Sequence, residues 1–152
     1  VHCSPTKLAI MVLSAEDKKN IVQFWEFVKG HEEAHGAEAL HRMFESSPET
    51  KIYFANKDLS GGSAFLHAHG KKVMCALTKA VGHLDDINGA LSALSDKHAQ
   101  ELMVDPANFP KLNHNIMVTF AVHCKQRLTP QVHTSLDKFL CAVAHALTCK
   151  YR

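Results

Sequence analysis

The chain has 152 residues and a formal net charge of +2 at pH 7, which suits one domain with a sizeable core. This charge is too small to indicate nucleic acid or a membrane surface as partner, and no apolar run approaches the roughly 18 residues of a membrane span. Five cysteines without a C-x-x-C pair argue against a disulfide framework and a thiolate zinc site, and favour a reducing cytosol.

The first predicted boundary lies near the N-terminus. The opening residues, VHCSPTKLAIM, have neither the basic start nor the apolar run of a secretory signal, so we do not expect secretion. MVLSAED is typical of an ordinary translation start, with Val12 as the first mature residue. We therefore predict that residues 1–11 are an N-terminal extension outside the fold and that residues 12–152 form the domain. The alternative is an extension that belongs to the mature chain.

Apolar residues recur with helical spacing along the chain, and no alternating run is long enough for a convincing strand. Ser14, with Asp17 three residues later, is a typical N-cap. Three later segments begin with a capping residue and a proline, whose missing N–H has no intrahelical partner at that position: Ser47-Pro48, Asp105-Pro106 and Thr129-Pro130. The sequence predicts an all-α fold of six to eight helices.

Two histidines fall on helix faces that are otherwise apolar. In LSALSDKHAQEL, His98 shares a face with Leu91, Leu94 and Leu102. His69 shares another with a longer apolar series, namely Val73, Ala76, Leu77, Ala80, Val81 and Leu84. A single inward histidine is most often a neutral core residue bonded to a backbone carbonyl, because leaving it unpaired costs about 1–3 kcal/mol.

Two such histidines on separate helices are better explained if they face each other across a pocket. Imidazole binds iron, copper and zinc, but zinc usually takes three or four protein ligands, and no Asp, Glu or Cys obviously completes such a set on these faces. A metal that brings most of its own ligands needs only one or two histidines. Haem does so, and it also requires a large apolar pocket.

Several stretches, in this order and at these spacings, resemble one family: VLSAEDKKN, GAEALHRMF, HGKKV, GALSALSDKHAQEL, VDPANF, HTSLDKFL and LTCKYR. Through them the chain resembles the vertebrate globins, and among these the alpha-type haemoglobin subunits, from Val12 to Arg152. The short stretch between Phe54 and His69 and the ending Tyr151-Arg152 favour the alpha type over the beta type. The resemblance implies a globin fold packed around haem b (iron protoporphyrin IX).

The resemblance also implies roles for individual residues. His98 would be the proximal ligand, bonded to the haem iron through Nε2, and His69 the distal histidine, donating a hydrogen bond to bound O2. Val73 would crowd the ligand and Phe54 would wedge against the porphyrin. Further positions match the haem pocket, although ordinary core packing explains most of them equally well without haem: Tyr53, Lys72, Ala76, Leu77, Leu94, Leu102, Val104, Asn108, Phe109, Leu112, Val143 and Leu147.

The family's quaternary structure gives a second set of expectations. Positions matching alpha–beta contacts, terminal ion pairs or the interface that shifts between affinity states are Arg42, Asp105, Asn108, His114, His133, Asp137, Tyr151 and Arg152. A solvated surface side chain is the alternative for each. The resemblance thus implies reversible O2 binding, with CO and NO as further ligands, in an alpha2beta2 tetramer with beta-type chains in the red blood cell cytosol, and no catalytic residues.

Four departures from the family pattern concern the pocket edge and the shifting interface. Asn56 and Lys57 stand where histidine and phenylalanine are usual, and we expect the lost aromatic to loosen the outer wall of the pocket. Lys97 replaces a usual leucine, and we expect its ammonium to reach a haem propionate. Met103 replaces a common arginine and removes a charge from the interface.

Two other functions are compatible with the same pattern. Haem with two histidines can support NO dioxygenation, nitrite reduction or weak peroxidase chemistry, but the sequence adds no reductase domain and no dedicated acid–base group. We therefore regard such activity as incidental. The second is a haem-free helical interaction protein with His69 and His98 in its core.

Overall fold

The computed structural model describes residues 12–151, so the predicted extension 1–11 and the C-terminal Arg152 lie outside the described residues. Within this range every regular element is helical, which confirms the all-α prediction. The seven α-helices of this range are α1 Ala15–Val28, α2 Glu32–Ser46, α3 Ala64–Val81, α4 Ile87–Ala90, α5 Ser92–Lys97, α6 Asn108–His123 and α7 Pro130–Thr148. Short 3₁₀ helices span Pro48–Phe54 and Lys125–Arg127, and a π-helical turn spans His98–Leu102.

A capping box begins α1 as predicted and also joins it to α7. The backbone N–H of Asp17 donates to Ser14 Oγ at 3.0 Å, and the N–H of Ser14 donates to Asp17 Oδ2 at 2.9 Å. The buried carboxylate of Asp17 accepts two more hydrogen bonds, from Ser135 Oγ at 2.8 Å and Lys138 Nζ at 3.0 Å. A local cap therefore also fixes how the first and last helices pack.

Two of the three proline-marked starts differ in detail from the prediction. Pro130 begins α7, and Thr129 Oγ1 accepts the N–H of Val132 at 3.2 Å, as expected. The segment after Ser47 is a 3₁₀ helix without a side-chain cap. The helix expected at Pro106 begins at Asn108, because the Asp105 carboxylate accepts the N–H of Ala107 at 2.9 Å and forms a turn first.

α2 and α3 cross in close backbone contact at two glycines. A Cβ built on Gly36 would lie 2.1 Å from the carbonyl oxygen of Gly70, and one on Gly70 would lie 2.3 Å from the backbone nitrogen of Ala37. Only glycine at both positions allows the backbones to approach this closely. Gly70 directly follows His69, so this crossing positions the part of α3 that carries the candidate distal histidine.

The core has two parts, and the second lies under the candidate site. The larger contains Trp25, which meets Phe120 and Phe139 edge to face at centroid distances of 5.9 and 5.7 Å and donates from Nε1 to Thr78 Oγ1 at 2.9 Å. The smaller contains Ala37, Leu40, Met43, Phe44 and Leu66. No helix within residues 12–151 combines the length and the apolar character needed to cross a membrane.

The contacts of Asp17 predict how stability depends on pH. Burial alone would raise the pKa of this carboxyl, but hydrogen bonds from Ser14, Lys138 and Ser135 outweigh it and hold the pKa well below its ordinary 3.8. The stabilisation is therefore complete above pH 3.8 and is lost as the pH falls through the lower folded-state pKa. We expect Asp17→Asn to cost about 2 kcal/mol at pH 7.

Urea unfolding from pH 7 down to pH 2 measures this difference. The Asp17→Asn penalty should shrink as both proteins enter the acid range, whereas Asp137→Asn, an exposed carboxylate on α7, should change stability by less than about 0.5 kcal/mol. A penalty that stays constant with pH would contradict the assigned role of the Asp17 charge.

The glycine crossing gives a second stability prediction. Gly36→Ala places a methyl group against the backbone of Gly70, so the two helices must separate, and we expect a loss of about 3 kcal/mol. Gly62→Ala is the matched control, because a Cβ there meets nothing within 4 Å. Equal urea midpoints for the two variants would mean that the crossing is not tight.

Candidate functional site

One apolar cavity of about 180 Å³ opens between α2, the first 3₁₀ helix, α3, the π-helical turn and α6. That volume is smaller than the roughly 300–1,000 Å³ of typical small-molecule and cofactor sites, but its mostly apolar lining with a few polar groups is typical of them. Its wall contains ten residues that the sequence predicted and three that it did not. The predicted ten are Tyr53, Phe54, His69, Val73, His98, Leu102, Val104, Asn108, Phe109 and Leu112, and the others are Leu40, Met43 and Thr50.

His98 lines the cavity with one ring nitrogen engaged. Its Nδ1 lies 2.8 Å from the carbonyl oxygen of Leu94, one helical turn earlier. A carbonyl can only accept, so Nδ1 carries the proton and Nε2 presents a lone pair. Within residues 12–151, Nε2 has no hydrogen-bond partner. Phe109 packs against the ring at a centroid distance of 5.5 Å. This is the tautomer and orientation that a metal ligand requires.

The backbone around His98 departs from the predicted regular helix. Leu91 is buried as expected, but Leu102 is 47% exposed although it borders the cavity. α5 ends at Lys97, and the next residues form the wider π turn. The turn stops at Met103, whose φ of 47° is left-handed. His98 and Leu102 share a face as predicted, because both line the cavity, but the expectation that this face is buried was wrong at Leu102.

His69 also lines the cavity, and aromatic rings hold it. Its imidazole stacks on Phe65 at a centroid distance of 5.6 Å and an interplanar angle of 11°, and it meets Phe54 edge to face at 5.1 Å. Among the described residues its ring has no hydrogen-bond partner. Burial first, and then the charges of Lys72 and His98, lower the pKa of His69 below its ordinary 6.5, so the ring is neutral at pH 7.

An aromatic side chain from α3 lies beside the segment that contains Asn56 and Lys57. Phe65 lies beside Phe54 at a centroid distance of 6.0 Å, and the Lys57 ammonium lies 5.6 Å over the Phe65 ring. Phe65 is not part of the cavity wall, and the expected loosening of that wall stays a prediction. The sequence reasoning missed Phe65, although its position four residues before His69 was a usable signal.

Six residues predicted for the pocket do not reach the cavity wall. Lys72 is exposed, because it lies one residue before Val73 and therefore about 100° around α3. Ala76 and Leu94 are half-buried outside the wall. The remaining three belong to the larger core, and they are Leu77, Val143 and Leu147.

Of the three lining residues that were not predicted, two belong to the smaller core and the third lies on the first 3₁₀ helix. Leu40 and Met43 lie three residues apart on α2 and share its buried face. Their spacing signals burial but not contact with a cavity. Thr50 is buried and donates from Oγ1 to the carbonyl oxygen of Ser47 at 2.7 Å.

Tyr53 joins the first 3₁₀ helix to the start of α6 at the edge of the cavity. Its hydroxyl oxygen accepts the backbone N–H of Asp105 at 3.1 Å and the side-chain amide of Asn108 at 3.1 Å. Asn108 also donates to the carbonyl oxygen of Asp105 at 3.1 Å. These bonds fix two walls of the cavity relative to each other.

Among the residues predicted at subunit contacts, Arg152 lies outside the described residues, and the others lie on the surface apart from half-buried Arg42 and Asn108. Arg42 donates to Glu38 at 2.8 and 3.0 Å, and Glu38 also contacts His123. His114 lies on α6, His133 and Asp137 lie on α7, and Asp105 and Tyr151 lie outside the helices. The contacts of these residues with other subunits stay predictions.

The residues present fit haem. His98 offers a free Nε2, the cavity that it lines is mostly apolar, and His69 lines the same cavity. No cluster of three or more histidine, cysteine, aspartate or glutamate side chains suited to a metal ion occurs within residues 12–151. A metal centre held at this cavity therefore draws on histidine ligation and on ligands that the cofactor brings.

Comparison with known proteins agrees with this geometry. The family model described as Globin matches residues 37–147. The chain is 65% identical over 142 residues to haemoglobin subunit alpha-1 of Triturus cristatus and 66% identical over 142 residues to haemoglobin subunit alpha of Taricha granulosa, covering 93% of this chain and all of each relative. It is 63% identical to haemoglobin subunit alpha-1 of Pleurodeles waltl over the same shares. The resemblance and the fold class predicted from the sequence are confirmed.

The bonds of Tyr53 predict the effect of removing its hydroxyl. Tyr53→Phe leaves the Asp105 N–H and one Asn108 N–H without their acceptor, and we expect a loss of about 1–2 kcal/mol in urea unfolding. Tyr151→Phe is the matched control, because the Tyr151 hydroxyl bonds to none of the described residues. If both variants unfold at the same urea concentration, Tyr53 does not tie the cavity walls together.

Proposed function

Because the chain belongs to the globin family, and within it to the alpha-type haemoglobin chains, we propose that it transports oxygen as a haem-binding subunit. One observation carries this proposal. The same apolar cavity is lined by His98, whose Nε2 is left available by the hydrogen bond of Nδ1 to Leu94, and by the neutral His69.

The proposed cofactor is haem b, which when bound supplies a ferrous iron that takes up O2 reversibly. His98 would hold it through Nε2, and the Leu94 carbonyl would keep the imidazole in the required tautomer. Phe54, Val73 and Phe109 would pack against the ring system. Lys97 is exposed beside His98 on the same turn, where its ammonium suits a carboxylate at the cavity mouth.

His69 would interact with the bound ligand through a hydrogen bond. A neutral imidazole keeps one N–H, so His69 could donate a hydrogen bond to O2. The apolar lining keeps water away, and this exclusion protects a ferrous centre against loss of an electron. The chain's contribution is therefore one ligand, one donor and a dry cavity.

Binding is favoured over catalysis because most of the other polar groups in the cavity wall already form hydrogen bonds within the protein. The hydroxyl of Thr50 donates to Ser47, the hydroxyl of Tyr53 receives two N–H groups, and the amide of Asn108 is held by that hydroxyl and by Asp105. The donors of Thr50 and Asn108 are engaged, whereas the O–H of Tyr53 donates to none of the described residues. Catalysis such as NO dioxygenation would therefore depend on the haem, the two histidines and this one hydroxyl.

Assembly with beta-type chains into an alpha2beta2 tetramer is the second part of the proposal, with the red blood cell cytosol as its location. The relatives are described as haemoglobin subunits, which supports such an assembly.

The ligand role of His98 is tested by its removal. His98→Ala should abolish stable haem loading, seen as loss of the Soret band after gel filtration, and added imidazole should restore part of it because the cavity remains apolar. His83→Ala is a matched control. His83 makes the same contact with a carbonyl four residues earlier, at 2.9 Å from Lys79, but is exposed and outside the cavity wall.

The purified wild-type chain should bind O2 reversibly, and with beta-type chains it should sediment as a tetramer. Haem loading that survives His98→Ala would contradict the proposed ligand. Failure to form a tetramer would remove the second part of the proposal while leaving haem binding intact.

A further inference from the structure

Phe65 is a half-buried aromatic residue that none of the roles above requires. It is the second residue of α3, one turn before His69, and it lies outside the cavity wall. The start of α3 is firmly set, because Ser63 Oγ accepts the N–H of Leu66 at 3.1 Å and donates to the carbonyl oxygen of Asp58 at 2.7 Å. Phe65 is thus fixed on a capped helix.

Three contacts surround the Phe65 ring. The imidazole of His69 stacks on it nearly in parallel, at 5.6 Å and 11°. Phe54 meets it at 6.0 Å, and the Lys57 ammonium lies 5.6 Å over it. Phe54 also touches His69, at 5.1 Å. The two phenylalanines therefore hold the imidazole by a face contact and an edge contact.

The imidazole needs such support because nothing else fixes it. His98 is oriented by a hydrogen bond to Leu94, whereas the His69 ring has no hydrogen-bond partner within residues 12–151. Its half-buried place beside the cavity mouth would otherwise let it rotate toward solvent. Aromatic stacking is then the interaction that decides between the inward and outward positions.

We propose that Phe65 is the positioning residue for His69, holding its imidazole inside the cavity by stacking, with Lys57 covering the Phe65 ring. This inference rests on the proposed haem-binding function, since it concerns how the distal side of that site is kept in place. Phe65 acts through His69 and not on the ligand itself.

The test uses the haem-loaded chain with CO. An imidazole N–H beside bound CO polarises it and lowers its infrared stretching frequency, so inward and outward His69 give separate bands. Phe65→Leu removes the stacking and keeps apolar bulk, and we expect the ratio of outward to inward bands to rise about 2- to 10-fold. Phe65→Tyr retains the ring and should restore the wild-type ratio. The rate of O2 dissociation should rise with the outward band.

Two controls separate positioning from general stability. Phe27→Leu makes the same change at a half-exposed ring on α1 that packs against Arg127 at 3.4 Å, outside the cavity wall, and should leave the CO bands unchanged. Lys57→Met keeps the stem but removes the charge, and should shift the bands less than Phe65→Leu. Unchanged bands in a haem-loaded Phe65→Leu protein would overturn the inference.

A measurement on the wild-type chain keeps the inference testable if Phe65→Leu does not fold. In the CO form the ring protons of His69 should be shifted upfield in the NMR spectrum by the face of Phe65. Unshifted protons would overturn the stacking. A missing Soret band in the wild-type chain is a different result, because it would overturn the proposed function and this inference together.

Discussion

The close crossing of α2 and α3 at Gly36 and Gly70 determines where the cavity lies. With side chains absent at both positions, the backbones approach within contact distance. His69 precedes Gly70, so it is carried to the cavity wall by the same crossing. Leu40 and Met43 of the smaller core then form one side of the cavity, and Leu112 packs against both the smaller and the larger core. A bulkier residue at either glycine would displace the distal side of the site.

Two different interactions hold the two histidines, and this difference suits each of them to a different role. His98 is oriented by a hydrogen bond to the Leu94 carbonyl, which fixes the tautomer and leaves Nε2 as a base. His69 is held by Phe65 and Phe54, which fix its position but offer it no acceptor. The first arrangement suits a permanent ligand. The second suits a neutral donor that remains near the cavity without binding metal itself.

Much of this arrangement could be predicted from the sequence, because helix signals are local. The apolar spacing, the Ser14–Asp17 cap and the Thr129-Pro130 start gave the helices, and the two histidines on apolar faces indicated the site. The predictions of helix bounds failed where contacts within the folded chain outweigh the local sequence pattern. The π turn after Lys97 cannot be read from spacing, and the late start of α6 follows from a turn at Asp105. Phe65 was missed because its contact with His69 depends on the packing of Phe54 and Lys57 around it, which the spacing of residues in the sequence does not give.

If His98 alone binds the iron while His69 stays free, the optical spectrum of the haem-loaded ferrous chain without any gas will show it. A five-coordinate iron gives a single broad visible band that splits reversibly when O2 is added, and this is the result we predict. A six-coordinate iron gives two sharp bands before any gas is present. That result would mean that His69 leaves its stack on Phe65 to bind the iron, and the separate roles of the two histidines would then be wrong.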